Sequence, residues 1–125
     1  MINQQGENQM AIQRFDVGPR MSKAVVHGDT VYLAGLTADK AKGKSVTEQT
    51  KEILSLIDGY LAQCGTDKSK LLRANIWITD MKTFGEMNAV WDAWVSPGNT
   101  PARATVEAGL AAPEYNVEIM VVAAK

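Results

Sequence analysis

The sequence predicts a single α+β domain, in which a mixed sheet of five or six strands carries two helices on one face. Two apolar stripes recur at helical spacing, and a Ser/Thr-x-x-Glu run precedes each of them. Runs rich in β-branched residues flank these stripes, so the elements follow the order β-β-β-α-β-α-β-β. A length of 125 residues, with no internal linker or repeat, suits one hydrophobic core.

Three short strands are predicted first, after polar residues 1–10, which we expect to be a flexible N-terminal segment. The strands cover residues 12–17, 22–27 and 30–34. Gly28-Asp29 lies between the second and the third strand, and glycine at the first central position favours a type II′ hairpin turn. Residues 37–44 then form a polar loop.

Each helix is predicted to begin at a capping box, where a hydroxyl group accepts a hydrogen bond from the N–H three residues later. The run 45–48 begins the first helix, which ends at Gly65, and the run 83–86 begins the second, which ends before Pro97. The apolar stripes comprise Thr50, Ile53, Leu54, Ile57, Leu61 and Cys64 in the first helix, and Phe84, Met87, Asn88, Trp91, Trp94 and Val95 in the second.

The remaining strands are predicted at residues 71–79, 101–108 and 116–124. In the first of them, alternation places Leu72, Ala74, Ile76 and Ile78 on one face. In the second, it places Arg103, Thr105 and Glu107 together. The last strand is almost wholly apolar, and such runs are typical of strands covered on both faces. Because two helices cover only one face of the sheet, we expect the bare face to be buried by oligomerisation.

Composition excludes several classes of function. The net charge is −1 and the pI about 5.8, which gives no electrostatic footprint for nucleic acid. The apolar runs are shorter than the roughly 20 residues of a membrane span, and the polar N-terminus lacks a signal-peptide core. The single Cys excludes an internal disulfide, and one Cys with one His makes a zinc site improbable. We therefore expect a cytoplasmic protein.

The unusual residue of the last strand is Glu118. A carboxylate in an otherwise apolar strand is costly unless it is paired, hydrogen-bonded or used in chemistry. Arg103 is the one strong donor of the preceding strand, and a guanidinium offers two parallel N–H groups to a carboxylate. We therefore hypothesise that both residues belong to one site. The alternatives are a surface ion pair for Arg103 and a structural role for Glu118.

The chain combines Pro-Ala-Arg at 101–103 with Val-Glu-Ile at 117–119 and Glu-Gln-Thr at 48–50. In this specific combination, the motifs resemble those of the Rid family, the YjgF-type reactive intermediate deaminases, and the resemblance extends over residues 12–124. The other matching stretches are residues 28–35, 59–65 and 76–81 and Asn88.

This resemblance implies a chorismate-mutase-like fold and a homotrimer with its sites in clefts between subunits. It implies hydrolysis of 2-imino or enamine acids to 2-keto acids and ammonia. Arg103 would hold the substrate carboxylate, and Glu118 would place the attacking water. The implied ligand is a small imino or keto acid, with no cofactor, nucleic acid or membrane as partner.

The sequence differs from the RidA branch at three positions that the resemblance places in the pocket. Met21 stands where that branch has Tyr, Ala34 where it has Ser, and Thr105 where it has Cys. These differences indicate another subgroup and leave the substrate open. Gly35 and Asn88 complete the predicted substrate-binding set, although a structural hydrogen bond is the alternative for Asn88.

Three other functions compete with deamination. The main alternative is a non-catalytic protein that binds a small carboxylate metabolite or regulates a partner through the same cleft. An RNA-cleaving translation inhibitor is disfavoured by the net charge. A chorismate mutase would need more cationic groups than Arg103 supplies. We also reject a Cys–His nucleophile, because Cys64 lies on an apolar helical stripe and His27 borders a turn.

Overall fold

The computed structural model describes residues 11–125, so the expectation for residues 1–10 lies outside the described residues. Two helices are present, α1 (Val46–Gln63) and α2 (Phe84–Trp94), with 3-10 turns at Lys68–Lys70 and Met81–Thr83. The strands are β1 (Ile12–Val17), β2 (Ser22–His27), β3 (Thr30–Leu33), β4 (Leu71–Ile78), β5 (Ala102–Glu107) and β6 (Val117–Ala124).

The six strands form one mixed sheet in the order β1-β2-β3-β6-β4-β5. All neighbouring strands are antiparallel except β4 and β5, which are parallel because α2 forms the crossover between them. Both helices pack on the same face of the sheet, and alternate residues of β6 are buried beneath them. The predicted α+β arrangement, with two helices on one face of a mixed sheet of five or six strands, is confirmed, and the sheet has six strands.

Local signals position the hairpin of β2 and β3 and the two ends of α1 as predicted. Gly28 has the left-handed φ of +62° that a type II′ turn between β2 and β3 requires. The Ser45 hydroxyl oxygen accepts from the Glu48 N–H at 3.2 Å, which caps α1. After the helix, Gly65 has a φ of +79°, and the Thr66 N–H donates to the carbonyl of Leu61 at 2.9 Å.

Two details of the predicted pattern are wrong. The Thr83 side chain does not cap α2, because its hydroxyl donates to the Asp80 carbonyl at 2.6 Å. Glu86 instead accepts from the N–H and the hydroxyl of Thr47, at 3.0 and 2.9 Å, and so joins α2 to the start of α1. Leu72 does not share the buried face, because a register shift between Leu71 and Arg73 buries Leu71 and leaves Leu72 52% exposed.

The face of the sheet opposite the helices is open and largely apolar. Its residues include Tyr32 and Val106, which are 46% and 49% exposed, and Trp77, Met120 and Val122, which are half-buried. Single exposed apolar side chains are ordinary, but a contiguous patch of this kind marks an interaction surface. Oligomerisation through this face stays a prediction. No helix in the described part of the chain has the length and hydropathy to span a membrane.

Candidate functional site

Arg103 lies on the edge strand β5, on the face that the helices cover. Its neighbour across the parallel pair is Ala74 of β4, whose side chain is fully buried beneath the helices. Arg103 itself is exposed because β5 is the last strand of the sheet. Its side chain meets α2, so the βαβ crossover from β4 to β5 positions the guanidinium.

Three residues of α2 hold the Arg103 guanidinium. Nη1 donates to the Asn88 side-chain oxygen at 2.8 Å. The guanidinium carbon lies 5.4 Å from the ring centroid of Trp91 and 5.9 Å from that of Phe84, within the range of cation–π attraction. Within residues 11–125, Asn88 is the one side chain hydrogen-bonded to Arg103. The contacts are with neutral groups, so they leave the positive charge available to an anion.

Glu118 lies on the open face, in the middle of the sheet. It is half-buried and alternates with the buried residues Val117 and Ile119, and it stands opposite Trp77 of β4. Its carboxylate rests against Gly35, just after β3, in the space that a Cβ at this position would occupy. Backbone hydrogen bonds between Leu36 and Ile119, at 2.9 and 3.1 Å, fix this approach. Glycine is therefore required here by the position of the carboxylate.

Within one chain, Arg103 and Glu118 do not form a common site. Glu118 pairs with Trp77 of β4, and Trp77 pairs with Val106 of β5. The position on β5 that is level with Glu118 is therefore Val106, two strands away from Glu118 and three residues along β5 from Arg103. With strands about 4.8 Å apart and a rise of about 3.3 Å per residue, the two Cα atoms are roughly 14 Å apart. The side chains then diverge to opposite faces. A small acid therefore contacts both residues only if two copies of the chain contribute.

Two of the other predicted pocket residues, Thr105 and Ala34, lie next to Arg103 and to Gly35, respectively. Thr105 follows Arg103 on the same face of β5, and its buried hydroxyl has no hydrogen-bond partner among residues 11–125. The Ala34 N–H donates to the Lys23 carbonyl at 2.9 Å, which places Ala34 beside Gly35 at the end of β3. Met21 precedes β2 and is 52% exposed.

Sequence reasoning assigned Phe84 and Trp91 to the helix core only. Trp91 is indeed buried, at 5% exposure, but both rings also face the guanidinium. The signal was available, because residues 84, 88 and 91 have the i, i+4, i+7 spacing of one helix face. The sequence did not show that this face of α2 contacts Arg103 on β5.

Other candidate sites were also considered. Among the described residues, no group of three or more His, Cys, Asp or Glu side chains converges where a metal ion would bind. A groove of about 560 Å³ runs between α1 and α2, but neither Arg103 nor Glu118 lines it. Cys64 is buried and His27 exposed, as expected for residues that form no nucleophilic pair.

Residues 11–125 match the family model described as Endoribonuclease L-PSP. Among curated proteins, the chain is 43% identical to a RutC family protein of Haemophilus influenzae over 114 residues, covering 91% of this chain and 98% of that protein. It is also 43% identical to the RutC family protein YoaB of Escherichia coli K12 over 115 residues, covering 92% and 99%.

Solved structures show the same similarity. A YjgF-family protein of Neisseria meningitidis matches with a TM-score of 0.90 and 46% identity, over 94% of this chain and 98% of that one. A protein of Salmonella typhimurium, described as a putative translation initiation inhibitor, matches with a TM-score of 0.83 and 40% identity, over 93% and 99%. These names differ in the activity they suggest, so they leave the reaction open.

Proposed function

Because the chain belongs to the Endoribonuclease L-PSP family, whose relatives include YjgF proteins, we propose that it hydrolyses reactive 2-imino or enamine acids. The products are 2-keto acids and ammonia. The observation that carries the proposal is the exposed Arg103 guanidinium, held by neutral groups and so free to bind a carboxylate. No cofactor enters the reaction, because the imine carbon is already electrophilic.

The reaction needs a water molecule and one proton-transferring group. The oxygen of water forms a bond to C2, and the C=N π electrons move to nitrogen. The Glu118 carboxylate takes a proton from the water and returns it to the nitrogen. Glu118 then transfers the C2 hydroxyl proton to the nitrogen, the C=O bond of the keto acid forms as the C–N bond breaks, and ammonia leaves. Proton transfer by a placed carboxylate typically contributes about 10²- to 10⁴-fold.

We propose that the complete site lies between two copies of the chain, in a homotrimer. The opposite faces of Arg103 and Glu118 support this, since one chain does not present both to a small acid. The open apolar face around Trp77, Met120 and Val122 supports association, because burial of such a patch favours oligomers. The edge position of Arg103 allows it to reach the face of a neighbouring copy.

The experiment couples the protein to an oxidase or dehydratase that generates imino acids and follows keto-acid release. We expect the wild-type protein to accelerate release. Arg103→Ala removes the carboxylate contact, and Arg103→Lys replaces a planar fork with a point charge, so both should raise KM strongly. Lys70→Ala, which removes one positive charge from a 3-10 turn, is the control and should behave as wild type. An Arg103→Ala protein as fast as wild type would overturn the proposal.

The second candidate is a non-catalytic protein that binds small carboxylates. It is favoured by Met21 and Ala34, which are apolar residues at positions where the RidA branch has Tyr and Ser. Calorimetry with 2-oxobutanoate, alongside a broad imine panel, separates the two functions. Binding without turnover on any imine would select the second candidate, whereas turnover would reject it.

A further inference from the structure

We propose that Asn88 is a positioning residue, which orients the Arg103 guanidinium for an incoming carboxylate without neutralising its charge. Asn88, Phe84 and Trp91 of α2 together surround the guanidinium with neutral groups, and we call these three side chains the cradle. The inference deepens the proposed function and rests on it. It assigns to Asn88 a role different from direct contact with substrate.

The geometry defines what Asn88 does. A guanidinium has five N–H donors in one plane, and the Asn88 oxygen takes one of them, on Nη1, at 2.8 Å. A hydrogen bond at Nη1 restricts rotation of the planar guanidinium about the terminal bonds of the Arg103 side chain. The rings of Trp91 and Phe84 restrict it further. The remaining donors then meet a carboxylate in a fixed direction, which lowers the entropy cost of binding.

The chemical type of the cradle is as important as its shape. An amide oxygen and two ring faces attract a cation through partial charges and quadrupoles, so none of them carries a net negative charge. A carboxylate at position 88 would form a stronger hydrogen bond to Arg103, but it would also compete with the substrate carboxylate for the same cation. The neutral side chain therefore serves binding of an anion better than it serves stability.

Contacts elsewhere on α2 keep the cradle in place. Near its start, Glu86 accepts two hydrogen bonds from Thr47 of α1. Near its end, the Trp94 indole N–H donates to an Asp58 side-chain oxygen of α1 at 3.0 Å. Asn88 lies between these two connections. The helix that carries it is thus fixed to α1 at both ends.

The test compares Asn88→Asp with Asn88→Ala in the full-length protein. Asn88→Asp keeps the shape of the side chain and strengthens the hydrogen bond to Arg103, so a purely structural role predicts equal or higher thermal stability and unchanged binding. The proposal predicts that Asn88→Asp keeps its Tm but binds 2-oxobutanoate at least about tenfold more weakly, because the added charge repels the ligand and occupies Arg103. The same variant should raise KM more than it lowers kcat.

Asn88→Ala and a charge control complete the experiment. Asn88→Ala frees the guanidinium to rotate, and we expect a loss in affinity of about threefold to tenfold, smaller than for Asn88→Asp. Gln63→Glu adds the same unit charge to the end of α1 and should bind as wild type. If wild type binds 2-oxobutanoate and Asn88→Asp binds it equally well, the inference fails alone. If wild type itself shows neither binding nor turnover, the proposed function fails, and the inference with it.

Discussion

Replacing Gly35 with alanine tests whether the position of the Glu118 carboxylate governs activity. A Cβ at position 35 would overlap a carboxylate oxygen of Glu118 and lie 3.1 Å from its carboxyl carbon and 3.4 Å from its Cγ. The carboxylate therefore has to leave its place against β3. Among residues 11–125, apart from the two chain neighbours of Gly35, these are the three atoms nearest to that Cβ, so the substitution acts mainly through Glu118.

The size of the effect follows from the flexibility of the obstructing group. The Glu118 carboxylate is the end of a rotatable side chain, so it moves by about 1 Å at a cost below about 1.5 kcal/mol. The free energy of unfolding should fall by no more than that. Misplacement of a reacting group by about 1 Å costs on the order of 100-fold in rate. We therefore expect kcat to fall by about two orders of magnitude while the protein stays folded.

The assay measures kcat and KM for imine hydrolysis, together with the Tm and the affinity for 2-oxobutanoate. Because Arg103 holds the carboxylate, the affinity should change little. Gly59→Ala is the matched control. Apart from its chain neighbours and the backbone of its own helix, a Cβ there meets no atom of residues 11–125 within 4 Å. The substitution lies inside α1, so it should leave kcat unchanged and raise stability by about 0.5–1 kcal/mol.

A double variant identifies the group through which Gly35→Ala acts. Since both changes remove the same correctly placed carboxylate, Gly35→Ala with Glu118→Gln should be no slower than Glu118→Gln alone. Additive losses in the double variant, or wild-type kcat in Gly35→Ala, would refute the argument.

Two further predictions concern stability. Ser45→Ala removes the acceptor for the Glu48 N–H at the start of α1 and should lower the free energy of unfolding by about 1 kcal/mol, as measured by urea denaturation. Burial, and then the hydrogen bond to Asp16 and its negative charge, raise the pKa of Tyr60. The stability that the raised pKa contributes is fully present below the ordinary tyrosine pKa of about 10, and it is lost as pH rises through the pKa of the folded protein. The free energy of unfolding should therefore decline less steeply above about pH 10 in Tyr60→Phe than in the wild type.

The secondary structure could be predicted because its signals are local. The alternating strands, the cap at Ser45 and the stop at Gly65 each depend on residues a few positions apart. The exposure of Leu72 could not be predicted, since the register shift beside it depends on pairing with β6. The bonds from Thr47 to Glu86 likewise join residues 39 positions apart.

The site could be predicted only in its residue types. Alternation placed Arg103, Thr105 and Glu107 on one face of β5, but it did not determine which face of the sheet this is. That depends on Arg103 pairing with Ala74, a contact made through the parallel crossover. In the same way, Glu118 was recognised as unusual, whereas its approach to Gly35 depends on a bridge between β6 and the residues after β3. Pairing between distant strands is not encoded in any short run of sequence.

Mixing two inactive variants tests most directly whether one copy supplies the arginine and another the glutamate. Arg103→Ala and Glu118→Ala proteins are unfolded and refolded together in equal amounts, and they are assayed at a substrate concentration well below the raised KM of Arg103→Ala, where each alone has little activity. If each site joins Arg103 of one subunit to Glu118 of the next, about a quarter of the sites receive both intact residues, so about a quarter of the wild-type activity should return. If both residues of a site came from the same chain, no site would be complete, and the mixture would remain as inactive as its components.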